Sequence, residues 1–300
     1  MAINRAQLAK ELEPGLNALF GLEYARYENE AAQIFEQESS DRAFEEEVML
    51  VGFGQANVKA EGSAIGFDTA SESFTARYVH DTIALAFALT EEAVEDNLYD
   101  TLSARYTKAL ARSMAYTKQV RGANVLNDAF VTAGGDGVSL INAAHPTALG
   151  GNFSNRSATD ADLNETSLEQ AMIDIAGFID ERGLKIAMKG NKLILPVNLQ
   201  FIADRILEST LRVGTADNDI NALKNMGMLP GGYTVNHYLT DTDAWFIKTD
   251  CPNGFKHFIR AALATGMEGD FDTGNMRYKA RERYSFGYSD PRAAYGSAGS

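Results

Sequence analysis

Disulfides are the first thing this sequence rules out. Its single cysteine, Cys251, cannot build an internal framework and fits a reducing cytoplasm. Proline is sparse, and between Thr90 and Gly122 both proline and glycine are missing. No apolar run approaches the roughly 20 residues of a membrane-spanning helix. Met1 to Leu16 lacks the basic start and apolar centre of a secretory signal. The expectation is a chain made and used without crossing a membrane. Cations are scarce where anions are dense: residues 1–100 hold 6 Lys/Arg against 20 Asp/Glu, and residues 101–300 hold 21 of each. The formal net charge of −14 therefore lies in the first third. A sequence-specific nucleic-acid reader would carry the opposite bias. The acidic third suits either complementary contacts between copies or a solubilising face.

Signatures of chemistry are missing too. There is no Gly-x-x-x-x-Gly-Lys phosphate loop, no Gly-x-Ser-x-Gly elbow, no His-Glu-x-x-His and no Cys-x-x-Cys. Gly52-Phe-Gly54 lacks the third glycine and following helix of a dinucleotide site. Asp217 to Asn221 begins like a calcium loop, but Ala222 stands at the turn glycine and Met228 at the bidentate glutamate. His80, His145, His237 and His257 form no local nucleophile–base signature with Cys251. The reading is a protein without catalytic, metal or cofactor residues.

What is present is an α+β pattern. The chain is 45% hydrophobic with a mean hydropathy of −0.22, enough for one large domain or two moderate ones. From Thr90 to about residue 128, apolar or small residues recur at Val94, Leu98, Leu102, Tyr106, Leu110, Ser113, Tyr116 and Val120. That spacing predicts one very long helix, N-capped at Thr90 and acidic in its first turns. Arg105, Lys108 and Arg112 fall within about 60° of one another on it, a local basic strip. Ahead of it, Val48 to Thr75 reads as two strands and a broad tip carrying Phe53, Val58, Ile65 and Phe67 among polar residues. Such a hairpin is too thinly apolar to fold on itself. It needs a neighbouring copy to lie on, unless it is a flap or a disordered loop.

Beyond the long helix, short strands are expected at Val138 to Ile141, Lys192 to Pro196, Tyr233 to Tyr238, Ala244 to Lys248 and Phe255 to Leu263. Helices are expected from Asn164 or Thr166 to near Gly183 and from Val197 to Ser209. Met276 to Tyr288 is the most regular strand signal. One face carries Met276, Tyr278, Ala280, Tyr284, Phe286 and Tyr288; the other carries Arg277, Lys279, Arg281 and Arg283. This basic ladder needs an anionic counter-surface, for which Glu45, Glu46 and Glu47 of a neighbouring copy or packaged DNA are the candidates. The bland alternative is a solvated edge strand protected by its charges.

The order of acidic arm, polar hairpin, strand Tyr78 to Leu89, long helix, mixed domain and returning strand resembles tailed-phage major capsid proteins of the HK97-type fold. Four stretches are similar to the Mu-like major head subunit family. They are Leu16 to Phe20, Ala144 to Thr147 followed by Gly150 to Asn155, Leu193 to Pro196, and Asp290 to Ser297. The resemblance implies an N-terminal arm at 1–44, an extended loop at 45–80 and a spine helix at 90–128. It implies a peripheral domain from 81–160 with 265–300, and an axial domain at 161–264. It implies a subunit that forms hexamers and pentamers of an icosahedral shell around double-stranded DNA, assembled in the host cytoplasm with a portal, a separate scaffold and sometimes decoration proteins. Phe53, Lys59, Glu61 and Phe67 are then the expected inter-subunit contacts of the hairpin. Lys59 also stands where some such shells form an isopeptide bond, but one lysine in a loop is a weak motif, and a solvated lysine or a salt bridge to the next subunit is the better account. An encapsulin-like protein compartment and a soluble α+β hydrolase are the competing readings.

Overall fold

The computed structural model describes residues 5–90, 92, 99–212, 219–270 and 274–300. The chain opens with helix α1 (Arg5–Arg26), where the sequence suggested only an arm. Strands β1 (Glu36–Ser39), β2 (Phe44–Val51), β3 (Ser71–Val79) and β4 (Asp81–Leu89) follow, then the long helix α2 (Tyr99–Asn127). The expected strand from Tyr78 to Leu89 is broken at His80, which separates a hairpin strand from a sheet strand. The expected cap at Thr90 and the acidic turns after it involve Glu91 and residues 93–98, which lie outside the described residues, as do Asp217 and Asn218 of the calcium-like stretch.

Two short strands, β5 (His145–Pro146) and β6 (Asn152–Phe153), lead to α3 (Glu165–Ala176), β7 (Gly190–Leu195) and α4 (Gln200–Glu208). The chain closes with β8 (Tyr233–Val235), β9 (Trp245–Thr249), β10 (Phe255–Gly269), β11 (Met276–Tyr288) and β12 (Ala294–Ser297). Helix α3 starts at a capping box, in which Asn164 Oδ1 accepts from the Ser167 amide and Ser167 Oγ accepts from the Asn164 amide. It ends at Ala176, short of Gly183. The stretch Val138 to Ile141 contributes an isolated bridge, Ala133 to Ser139, in place of a strand.

Two four-stranded sheets organise the chain, one ordered β1-β10-β11-β4 and the other β12-β9-β7-β8. Sheet membership departs from the expected segment boundaries. Strand β10 enters the first sheet from Phe255, and β12 crosses to the second by pairing with β9. Helices α3 and α4 bury Leu168, Ile175, Ala203 and Ile206 against Leu193, Trp245 and Ile247 of the second sheet.

On the first sheet, α1 and α2 pack against one face: Leu16 and Phe20 meet Leu110, Ala111, Met114, Tyr278 and Ala280. The buried stripe of α2 overlaps the expected one only in part, with Leu110 common to both. Tyr106 and Tyr116 are 51% and 59% exposed, whereas Ser103, Thr107, Ala111, Ala115 and Ala123 are buried. Small residues join Leu110 and Met114 on this face where neighbouring segments approach closely. A Cβ added at Gly122 would come within 2.9 Å of the Ala31 Cβ.

Strand β11 runs between β10 and β4, so it is an interior strand, which removes the edge-strand alternative. Its inward face includes Glu282, passed over in the alternation, almost fully buried and 3.2 Å from Lys118 Nζ of α2. Burial raises the Glu282 pKa, and the Lys118 ammonium opposes that shift. Breaking a buried pair from one side costs roughly 3–5 kcal/mol, while apolar replacement of both partners is often neutral. Lys118→Met should therefore lower the melting temperature sharply, and adding Glu282→Leu should recover most of the loss. A single variant that melts like the parent would show the pair to be dispensable.

Candidate functional site

The hairpin β2–β3 projects from the first sheet with Phe44 opposite Val79 and Val48 opposite Thr75, then a register shift to Leu50 opposite Glu72. Beyond Val51 and Ser71 the chain is irregular except for a turn at Glu61–Gly62. This tip exposes its apolar side chains: Val58 and Phe67 are 100% accessible, and Phe53 and Ile65 are also exposed. Lys59 and Glu61 are exposed there as well and make no ion pair among the described residues. Among the described residues, none covers these tip side chains.

One carboxylate holds the tip at its root. Asp68 Oδ2 accepts from the Gly54 amide at 2.8 Å across the hairpin, and Asp68 Oδ1 accepts from the Thr69 amide at 2.8 Å. Arg182, from the loop after α3, reaches Asp68 at 3.3 Å and donates to the Thr69 carbonyl at 2.5 Å. These amides, with Arg182, hold the Asp68 carboxyl below its usual pKa.

The residue before Arg182 anchors the same loop in the interior. Glu181 Oε1 accepts from Arg292 Nη2 at 2.8 Å, with both side chains buried. Arg292 Nε also donates to the Ile179 carbonyl at 2.7 Å, and its guanidinium lies 4.3 Å from the Phe153 ring centroid. Beside it, the fully buried Asn155 donates through Nδ2 to the carbonyls of Leu140, Pro291 and Ala294. Its Oδ1 accepts from the Asn142 amide and lies 3.1 Å from His145 Nε2, while His145 Nδ1 is 2.6 Å from Asp136. The His145, Asn155 and Asp290-to-Ser297 motifs, far apart in sequence, thus meet in one polar cluster at the joint between the sheets. It contains no exposed nucleophile. Cys251, whose thiol pKa burial raises, instead packs against the apolar residues of both sheets.

The acidic triplet has partners within its own chain. Glu45 accepts from Ser40 Oγ at 2.7 Å, Glu46 faces Arg77 at 3.7 Å, and Glu47 is 2.7 Å from Lys256 Nζ. The ladder divides likewise. Arg277 pairs with Asp270, and Arg283 leans on the carbonyls of His80 and Ala43 at 3.4 and 3.5 Å. Lys279 and Arg281 stand exposed without an ion pair among the described residues. The strip Arg105, Lys108 and Arg112 is exposed too. Of the acidic residues after α1, Glu30 engages His237 and Glu28 engages Gln33, and Glu36 makes no ion pair with the strip among the described residues. The sequence reading missed Asp68, Arg182, Glu181 and Arg292. Only Arg292, inside a quoted motif, carried any signal.

The described residues thus form two four-stranded sheets, a long helix packed on one of them and a hairpin whose apolar tip is exposed. The profile of the phage capsid protein family matches residues 73–297, and the chain belongs to that family. It is a phage capsid subunit, a structural protein of the virion shell that assembles with copies of itself, and not an enzyme. The family matched is described as phage capsid protein, and this match does not single out the Mu-like group within such proteins. No curated protein matches the sequence.

Among solved structures, a virus-like particle from Pyrococcus furiosus is similar with a TM-score of 0.55 and 10% identity, over 94% of this chain and 97% of that one. The capsid of Myoviridae phage XM1 has a TM-score of 0.53 and 11% identity, over 89% of each chain. A chain of Mycobacterium phage Che8 has a TM-score of 0.53 and 15% identity, again over 89% of each. These likenesses establish the HK97-type fold, and the family match turns the choice away from the encapsulin-like and hydrolase readings.

Removing the Asp68 carboxylate should free the hairpin without unfolding the subunit. In Asp68→Ala, amide hydrogen exchange across residues 52–70 should accelerate while the melting temperature stays put. Because the folded-state pKa is lowered, the carboxylate's contribution is present above the unfolded pKa and is lost as pH falls through the folded one. The same acceleration should therefore appear in the parent only under strongly acidic conditions. Unchanged protection in the variant would mean that the root is held by something else.

Proposed function

We propose that this chain is the major head subunit of a tailed phage, tiling an icosahedral shell as hexamers and pentamers around double-stranded DNA. The observation that carries this reading is the hairpin tip, whose Phe67 and Val58 are completely accessible in the isolated subunit. Such side chains gain most of their burial free energy, about 1.5–3 kcal/mol each, only on a neighbour. Residues 1–44 act as the N-terminal arm and 45–80 as the extended loop. The first sheet with α2 serves as the peripheral domain and the second sheet as the axial domain. Portal and scaffolding proteins nucleate and shape the shell in the host cytoplasm, and decoration proteins are optional. DNA is contained without sequence-specific contacts, because tight phosphate binding needs clustered cations and the arm is acidic.

Replacing Phe67 or Phe53 by Asp should leave a soluble, folded subunit that forms no particles, since the charge is desolvated only at the interface. Normal particles from Phe67→Asp on negative-stain images would place the tip in solvent, and a failure to fold would place it in the subunit's own core.

The basic strip of α2 faces the shell interior, pairing with Glu28, Glu30 or Glu36 of an adjacent copy. Exposed pairs contribute only about 0–1 kcal/mol each, so neutralising Arg105, Lys108 and Arg112 together should shift particle size more than melting. Wild-type size and yield would reject that assignment.

A further inference from the structure

His145 sits at the joint between the sheets with its side chain fully buried, and each of its ring nitrogens meets an oxygen. Nδ1 is 2.6 Å from Asp136 Oδ2, and Nε2 is 3.1 Å from Asn155 Oδ1. A neutral imidazole has one N–H and one bare lone pair, so it would satisfy one of these oxygens and repel the other. Neither oxygen is free to turn away. Asn155 Nδ2 donates to the carbonyls of Leu140, Pro291 and Ala294 at 2.7, 2.9 and 3.1 Å, and its Oδ1 accepts from the Asn142 amide at 2.9 Å. Flipping that amide would aim oxygen at three carbonyls and NH2 at an N–H, losing every one of these bonds. Asp136 is fixed as well: its side chain is 5% exposed, and its Oδ1 accepts from the Val138 amide at 3.3 Å.

The surroundings suit a positive ring. Among the described residues, Asp136 is the one carboxylate in contact with it. Phe153 of β6 stacks on it with centroids 4.8 Å apart, and the same phenyl ring receives Arg292 at 4.3 Å. The Arg292 charge is already matched by Glu181 and Asp290, so a second cation on the far side of Phe153 is not set against a bare one. From the end of β11 comes the hydroxyl of Tyr288, whose pKa is raised by burial and then by Asp136, so it is a neutral neighbour.

We infer that His145 is a buried imidazolium at neutral pH, donating to Asp136 and Asn155 at once, and that loss of its proton in alkali unlocks the joint between the two sheets. The proton sits on the ring because imidazole is a stronger base than a carboxylate. Without it, either a buried carboxylate faces a bare Nδ1, or Nε2 faces Asn155 Oδ1 lone pair to lone pair. Both strain the Asn155 node, on which Leu140, Pro291 and Ala294 converge. Above neutrality the folded state binds one proton more than the unfolded chain. This contribution to stability is therefore full below the ordinary imidazole value, about 6.5, and is lost as the pH rises into alkali.

Asp136→Asn is the discriminating variant. Its new carboxamide still accepts from Val138 through Oδ1 and donates to Nδ1, so a neutral ring with its proton on Nε2 satisfies both sides. That joint needs no extra proton. Melting curves of the full-length chain, taken from neutral pH into alkali, should fall more steeply for the parent than for the variant. Groups that titrate in both, such as Cys251 and the tyrosines, cancel in the comparison. Histidine-selective nitrogen NMR of the parent at neutral pH should show both His145 nitrogens protonated, the signal being assigned by its loss in His145→Gln. A bare nitrogen on His145 at neutral pH would overturn the inference, and so would equal alkaline losses in parent and variant. If Asp136→Asn does not fold, the parent decides alone. Amide protection across residues 139–142 and 291–296 should then be lost over the same pH range as the imidazolium signal. Protection that outlasts the signal rejects the latch.

Discussion

The subunit is organised around the buried pair of Arg292 and Glu181. Taking both ions out of water costs several kcal/mol each, which is recovered only where the remaining donors and acceptors are also satisfied. Here they are: the guanidinium reaches Ile179, Asp290 and Glu181, and the other Glu181 oxygen accepts from the Ala148 amide at 2.9 Å. This rigid joint ties the last turn before β12 to the loop after α3. The next residue in that loop, Arg182, grips Asp68 at the root of the hairpin. Interior electrostatics is thereby transmitted through two adjacent residues to the direction in which an exposed arm leaves the body.

Charge is used differently at each depth. At the joint, and in the Lys118–Glu282 pair beneath the first sheet, ions are buried and matched one to one. Near the hairpin base, Lys256 is shared by Glu38 and Glu47 at 2.7 Å each, so the sheet edge and the hairpin strand are joined by one cation. On the outer surface the matching is partial: Arg77 pairs with Glu46 and Arg277 with Asp270, while Lys279 and Arg281 make no ion pair among the described residues. The net charge of −14 then discourages unspecific aggregation.

The His80 position shows how the arm and body are insulated. It separates β3 from β4, with its ring nitrogens 2.9 Å from Ser40 Oγ and 3.0 Å from Ser285 Oγ. Because Ser40 donates its proton to Glu45, it accepts from His80 Nε2, which leaves Nδ1 to accept from Ser285. Burial, together with Arg283 and Arg260, lowers the pKa of this ring, in keeping with a neutral tautomer. The hairpin thus joins the sheet at a residue hydrogen-bonded on both ring nitrogens.

Much of this was written in local pattern. The period-two run from Met276 to Tyr288 is β11 to the residue, because alternation is a property of the strand itself. The long helix and the two-stranded hairpin followed from a gap in helix breakers and from spaced glycines, and the order of elements carried the family resemblance. Other features belong to tertiary structure. Which face of α2 is buried depended on how near α1 and Ala31 approach, so small residues displaced the tyrosines that a hydrophobic count selects. Helix α1, with almost no amphipathic pattern and a proline within it, is a helix because Leu16 and Phe20 find Met114 and Tyr278. The joint of Arg292, Glu181, Asn155 and His145 was invisible for a physical reason: its members lie up to about 150 residues apart, and a buried charge is recognisable only once its partner has been brought to it.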